Sequence, residues 1–221
     1  MIGPLLPPAV VAVETFGDVP GESPFPGEAD LISGAVESRR REFVTARRCA
    51  REALRRLGFP PGPIRSGPRR EPLWPAGVTG SITHCAGYRA AAVARHADLT
   101  GLGIDAEPHE PLPADVTGMV IRPEEQAALA RLTRSAPGTH WDRLLFSAKE
   151  SVYKAWFPLT GRWLGFEEAS LEFDPAAGAF TARLLVPGTR LDGGPPLRVL
   201  HGRYAVTADL VATVVVVAAG R

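Results

Sequence analysis

The apolar positions of the chain change period along its length. Across residues 35–57, Val36, Phe43, Ala46, Ala50, Leu54 and Leu57 fall at helical spacing, and Gly58 with Pro60 and Pro61 ends the run. A second stripe, Trp141, Leu144, Leu145, Ala148, Val152 and Trp156, predicts a longer helix that starts near Thr139 and stops at Pro158. Thr139 and Asp142 have the spacing of a capping box, with Asp in place of Glu or Gln. Pro123, followed by Glu124 and Glu125, marks the first turn of another helix. Residues 78–94 read as strands and turns, and residues 102–106 as a short strand ending in carboxylates. From about residue 163 onward, short Val- and Leu-rich strands alternate with Gly/Pro turns. The apolar run 210–220 is too short for a bilayer and rich in Val, so it predicts a buried strand. Residues 17–34 and 58–77 read as loops, and no repeat is present.

A chain of 221 residues makes one domain or two small ones sharing an interface. It can bury roughly 70% of its unfolded surface, so it needs neither disulfides nor a structural metal to fold. With 45% hydrophobic and 22% charged residues it has the balance of a soluble globular protein. A formal charge of +1 gives no global field toward nucleic acid or membrane. Cys49 and Cys85 are too few for a disulfide framework or a zinc cluster and read as small buried hydrophobes. Residues 1–16 lack a basic leader segment and are broken by Pro4, Pro7 and Pro8, so a cytoplasmic location is expected.

The cations are unevenly chosen. Of 25 basic residues only Lys149 and Lys154 are lysines, and both lie in one six-residue stretch with Glu150. Arg is a planar fork and Lys a compact point charge, so two lysines kept together in an arginine-rich chain suggest a site the fork cannot serve. The helix over 35–57 carries Arg39, Arg40, Arg41, Arg47, Arg48, Arg51, Arg55 and Arg56, with Glu42 and Glu52 offering local pairs. This is either a solvated face or a surface for phosphate groups.

Asp105 and Glu107 flank Ala106 at a strand end and so face the same way. Such a pair can hold a hard divalent cation, or can be a solvated turn. Glu150 and Lys154 have the spacing of a surface ion pair. If that helix face packs on the strand end, Glu150 becomes a third carboxylate ligand and the two lysines flank the same phosphates. His84, with Thr83, could donate hydrogen bonds to phosphate oxygens; a lone histidine is otherwise an edge or core residue. No zinc spacing, Gly-x-Ser-x-Gly elbow or P-loop is present. What remains is phosphate chemistry with Mg2+ in the absence of a P-loop.

Gly103-Ile104-Asp105-Ala106-Glu107 and the run from Phe146 through Lys149, Glu150 and Lys154 to Ala155 resemble the two signature motifs of 4′-phosphopantetheinyl transferases of the surfactin- and enterobactin-activating type. Residues 80–88 and 156–166 are similar to the actinobacterial members in particular. The resemblance covers most of the chain from about Arg39 onward and implies an α/β (α+β) fold of two pseudo-twofold related subdomains, residues 1–104 and 105–221. Each is a small antiparallel sheet packed on a long helix, with coenzyme A in the cleft between them. The implied reaction is attack of a carrier-protein serine on the β-phosphate of coenzyme A, giving holo carrier and 3′,5′-ADP. Apo acyl and peptidyl carrier proteins are the implied partners of a monomer that uses neither nucleic acid nor membrane.

By position, the resemblance gives Asp105, Glu107 and Glu150 to Mg2+, with Mn2+ as an alternative occupant. Glu150 is also the candidate general base, a role a metal-bound water could equally fill. Lys149 and Lys154 would neutralise pyrophosphate charge, His84 with Thr83 would bind a phosphate oxygen, and Arg39 and Arg47 would bind coenzyme A phosphates. The chain departs from several relatives at Ser66, where they carry a lysine; Arg65, Arg69 and Arg70 are nearby substitutes. Two other readings stay open: a nucleic-acid-binding module built on the arginine helix, and a coenzyme A-binding protein without turnover. The first is opposed by the near-zero charge and 7% aromatic content.

Overall fold

Two antiparallel sheets, each backed by one 20-residue helix, make up the molecule. The structure, a computed structural model, describes residues 1–220. In the first lobe, β1 (Val11–Phe16), β3 (Tyr88–Arg95) and β2 (Val78–Cys85) pair in the order β1-β3-β2, and α1 (Glu37–Arg56) packs across them. In the second, β4 (Leu99–Pro108), β8 (Leu210–Ala218), β7 (Val199–Val206), β6 (Ala179–Leu184) and β5 (Ala169–Asp174) form the sheet β4-β8-β7-β6-β5. Helix α4 (Trp141–Thr160) lies on it, and α2 (Ala114–Val120) and α3 (Pro123–Ser135) lead into α4. This is the mixed α/β architecture expected from the sequence. Among the described residues no helix is long and apolar enough to cross a membrane.

The lobes meet along β2 and β4, which run side by side in the same direction without a backbone ladder. The Ser81 hydroxyl accepts the Ile104 N–H at 3.0 Å and the Thr83 hydroxyl accepts the Ala106 N–H at 3.0 Å. Two alternate side chains of β2 thus satisfy two backbone donors of β4 that burial would otherwise leave unpaired. Residues 104 and 105 are neighbours within β4, which pairs along most of its length with β8. A shared apolar cluster that includes Leu5, Tyr88, Ile104 and Val214 fills the space behind the seam.

Glycine sets the depth at which α4 packs. A β-carbon at Gly103 would lie 1.9 Å from the Ser151 carbonyl oxygen, so only glycine lets β4 pass this close to the helix. The stripe from Trp141 to Trp156 is buried, as its period predicts. The helix ends differ from expectation. Asp142 makes no capping box with Thr139; its carboxylate accepts the Leu112 N–H at 2.9 Å, and α4 begins at Trp141 without a side-chain cap. Pro158 does not stop the helix either. Its missing N–H falls in the last turn, where it frees only one carbonyl, and the chain leaves the helix at Gly161 in the left-handed region, φ 65°. Strand β1 and helix α2 lie in segments where periodicity gave no element.

Candidate active site

The seam between the lobes opens into a cleft of about 380 Å³. From the first lobe Arg39, Arg47, Thr83 and His84 line it, and from the second Asp105, Glu107, Glu150 and Lys154. Eight of the nine residues singled out in the sequence therefore converge. The close approach at Gly103 brings the Glu150–Lys154 face of α4 against the end of β4. Lys154 Nζ donates to Asp105 Oδ1 at 2.6 Å and to the Ile104 carbonyl at 3.2 Å.

Lys149 is the ninth and is turned away. Five residues from Lys154 is about 140° around a helix, so the two lysines cannot share a face. Its ammonium donates to Glu125 Oε2 at 2.8 Å, the Val120 carbonyl at 2.8 Å and the Phe166 carbonyl at 2.9 Å. Its side chain is 1% exposed, and burial pulls its pKa below the ordinary lysine value. It backs a neighbouring cavity that Glu150, Tyr153 and Trp163 also line. The expected place among pyrophosphate ligands is thus corrected: Lys149 clamps α3 and the approach to β5 onto α4.

The carboxylates are strained electrostatically. Burial, with the charge of Asp105 added, pushes the Glu107 carboxyl up to about 7, despite a 3.1 Å hydrogen bond from Arg143. Burial also raises Glu150, with Lys154 opposing and Asp105 reinforcing the shift. Lys154 is held above its ordinary value: burial works against its charge, and Asp105 and Glu150 overcome it. Asp105 is buried and its Oδ2 has no hydrogen-bond partner. An orphaned carboxylate oxygen beside two carboxyls held above their ordinary range suits a hard divalent cation, which would relieve all three. No group of three His, Cys, Asp or Glu is drawn together at metal-binding distance among the described residues. Lys154 occupies one oxygen of Asp105 instead.

Thr83 is buried with its hydroxyl accepting the Ala106 N–H and lying 3.4 Å from Asp105 Oδ1, so it braces the carboxylate. Arg39 Nη1 lies 2.5 Å from His84 Nε2, and Glu42 Oε2 lies 3.3 Å from His84 Nδ1. Burial, with Arg39, Lys154, Arg89 and Arg47 around it, lowers the His84 pKa to about 3, so the ring is neutral and can accept from Arg39.

The remaining arginines of α1 are mostly paired. Glu37 is close to Arg40 and Arg41, and Glu52 binds Arg55 and Arg56. Carboxylates of loop 17–34 take Arg48 (from Glu22) and Arg51 (from Glu28). That leaves Arg39 and Arg47 facing the cleft and removes the continuous basic face that a nucleic-acid reading needs. Around Ser66, Arg65 is bound to Asp30, whereas Arg69 and Arg70 line the cleft. Ser66 itself accepts from Arg47 at 2.9 Å.

The chain is matched by two family models in succession. The 4′-phosphopantetheinyl transferase N-terminal domain matches residues 27–94, and the 4′-phosphopantetheinyl transferase superfamily matches residues 101–213. The chain belongs to the 4′-phosphopantetheinyl transferase superfamily. It is 55% identical to the 4′-phosphopantetheinyl transferase Svp of Streptomyces mobaraensis over 99% of this chain and 90% of that protein. To PptT of Mycobacterium tuberculosis it is 50% identical over 92% of this chain and 90% of the relative. Enterobactin synthase component D of Salmonella typhi is more distant, 35% identical over 57% of this chain and 52% of its own length. The chain is thus an enzyme of this transferase class, with coenzyme A as substrate and carrier proteins as acceptors, as the sequence motifs imply.

Two residues of the site escaped the sequence reading. Arg143 holds Glu107 and, through Nε and Nη2, the carbonyls of Glu110 and Pro111. It lies two helical turns before Glu150, a spacing that could have found it. Tyr153 lines both cavities, packs 4.9 Å from Trp163 by ring centroids, and has a buried hydroxyl with no partner. No motif marks it.

Proposed function

We propose that this enzyme moves the phosphopantetheine of coenzyme A onto a serine hydroxyl of apo acyl or peptidyl carrier proteins, releasing 3′,5′-ADP, with Mg2+ as the cation. The observation that carries this reading is the unpartnered Oδ2 of buried Asp105, set beside Glu107 and Glu150 in a cleft walled by cations. Asp105, Glu107 and Glu150 would hold the cation, with Mn2+ able to replace it. When bound it supplies Lewis acidity and a template for the pyrophosphate.

The protein's own groups do the rest. Arg39 and Arg47 bind phosphates of coenzyme A, with Arg69 and Arg70 filling the place of the lysine that relatives carry near Ser66. His84 stays neutral and orients Arg39. Lys154 fixes Asp105 and offers its remaining proton to the charge that builds on the departing phosphate. Glu150 takes the serine proton as the serine oxygen attacks the β-phosphorus. The bond from that phosphorus to the bridging oxygen breaks, and 3′,5′-ADP leaves with the electron pair. Each lobe supplies part of the cleft, which supports a monomer as the working unit, in the cytoplasm where carriers and coenzyme A meet.

The test is intact-protein mass spectrometry of apo carrier domains incubated with this protein, coenzyme A and Mg2+, with and without chelator. A gain of one phosphopantetheine, absent with chelator and absent for Asp105→Asn, is expected. Transfer that survives in Asp105→Asn would overturn the metal assignment.

A further inference from the structure

The loop over residues 17–34 carries four carboxylates, and each meets an arginine: Asp18 with Arg89, Glu22 with Arg48, Glu28 with Arg51 and Asp30 with Arg65. Three are at least partly exposed. Glu28 is 0% exposed. A carboxylate fully removed from water costs several kcal/mol unless its oxygens are well used. Here Oε1 accepts from Arg51 Nη1 at 2.8 Å and from the Ile64 N–H at 2.7 Å, while Oε2 has no partner.

The peptide that Glu28 grips is the one that holds Arg47. The Ile64 carbonyl accepts from Arg47 Nε at 3.0 Å, and the Ser66 hydroxyl accepts from Arg47 Nη2 at 2.9 Å. The Phe43 ring covers the guanidinium from the other side, 3.6 Å from ring centroid to Cζ. Arg47 is itself buried, and desolvation lowers its pKa to about 10, with the negative charge of Glu28 the favourable influence that opposes this. Arg51 and Arg39 add repulsion. One side of segment 64–66 therefore rests on Glu28 and the other orients a cation that lines the cleft.

We infer that Glu28 is a positioning residue for coenzyme A binding: through the Ile64 peptide and its own charge it holds Arg47 in register with a phosphate of the substrate. Loop 17–34 is then part of the substrate site without touching the substrate. This rests on Arg47 being a phosphate ligand, as proposed above.

The experiment is steady-state kinetics with coenzyme A and an apo carrier for Glu28→Gln, Arg47→Ala and the double variant, with Ser66→Ala as a milder cut in the same relay. Glu28→Gln keeps the shape and an acceptor for Ile64 and removes the charge. The expected result is a rise of roughly tenfold in KM for coenzyme A, with the KM for carrier and kcat at saturation nearly unchanged. Glu28→Gln in the Arg47→Ala background should add little, because the two act as one unit. Ser66→Ala should shift the same KM by a smaller factor and covers the case in which Glu28→Gln fails to fold. An unchanged KM for coenzyme A in Arg47→Ala would overturn the role of Arg47. A raised KM in Arg47→Ala with full additivity of Glu28→Gln, or with no effect of Ser66→Ala, would overturn the role of Glu28 alone.

Discussion

The Lys154 ammonium lies 2.6 Å from Asp105 Oδ1 and 3.2 Å from the Ile104 carbonyl, so one point charge ties α4 to the strand that carries two of the three candidate metal carboxylates. Asp105 Oδ2 stays free because Lys154 takes only Oδ1. A guanidinium at this position would present a broad fork and cover both oxygens.

Lys154→Arg should therefore lower kcat/KM by at least about tenfold while the protein stays folded. Initial rates with coenzyme A and an apo carrier, alongside a circular-dichroism spectrum, check this. Near-normal turnover would mean that any cation at 154 suffices.

Lys149 answers a different question. Its pair with Glu125 is almost wholly buried, and Glu125 in turn accepts from the Leu171 and Arg122 N–H groups. Lys149→Ala leaves a buried carboxylate without its cation and should cost about 3–5 kcal/mol of stability. Urea unfolding of the two proteins measures it; a change under about 1 kcal/mol would place the clamp elsewhere.

What the sequence carried and what it hid follow from the range of the interactions. The two long helices were legible because their buried stripes are local and periodic. Asp105 and Glu107 were legible because a strand puts alternate residues on one face. The fate of the arginines was not. Glu22, Glu28 and Asp30 sit in an aperiodic loop, and only folding reveals that they reach Arg48, Arg51 and Arg65. Lys149 misled through composition: rarity marked both lysines, and the helical angle between them, which separates their roles, went unused. Strand β1 follows a proline-broken start and pairs only at the edge of its sheet, so its signal was weak.

His84 predicts a pH dependence with a definite sign. Its folded pKa of about 3 lies below the ordinary histidine value near 6.5, so between the two the unfolded chain binds the extra proton. The stabilisation is complete above about pH 6.5 and is lost as pH falls toward 3. The cations facing the ring are Arg39, Arg47, Arg89 and Lys154, and Glu42 is the carboxylate on it. Melting temperature should fall from pH 6.5 to pH 5, and His84→Asn should flatten that slope. An equal slope in the variant would mean that other groups drive it.

Arg70 has a φ of 66°, the left-handed region, in the turn closed by the Ser66–Pro72 bridge, and it lines the cleft. A residue with a β-carbon pays about 1–2 kcal/mol for that conformation, which glycine avoids, though glycine gives back roughly 0.5–1 kcal/mol in unfolded-chain entropy. Arg70→Gly should leave stability within about 1 kcal/mol of the parent, while Arg70→Ala keeps the strain. Both remove the cation, so both should raise KM for coenzyme A by a similar factor of a few. The pair of variants thus separates backbone from charge: stability should follow the presence of a β-carbon, and KM the loss of the guanidinium. If KM moves in neither, Arg70 does not stand in for the relatives' lysine, and Arg69 is left as the cation of that loop facing the cleft.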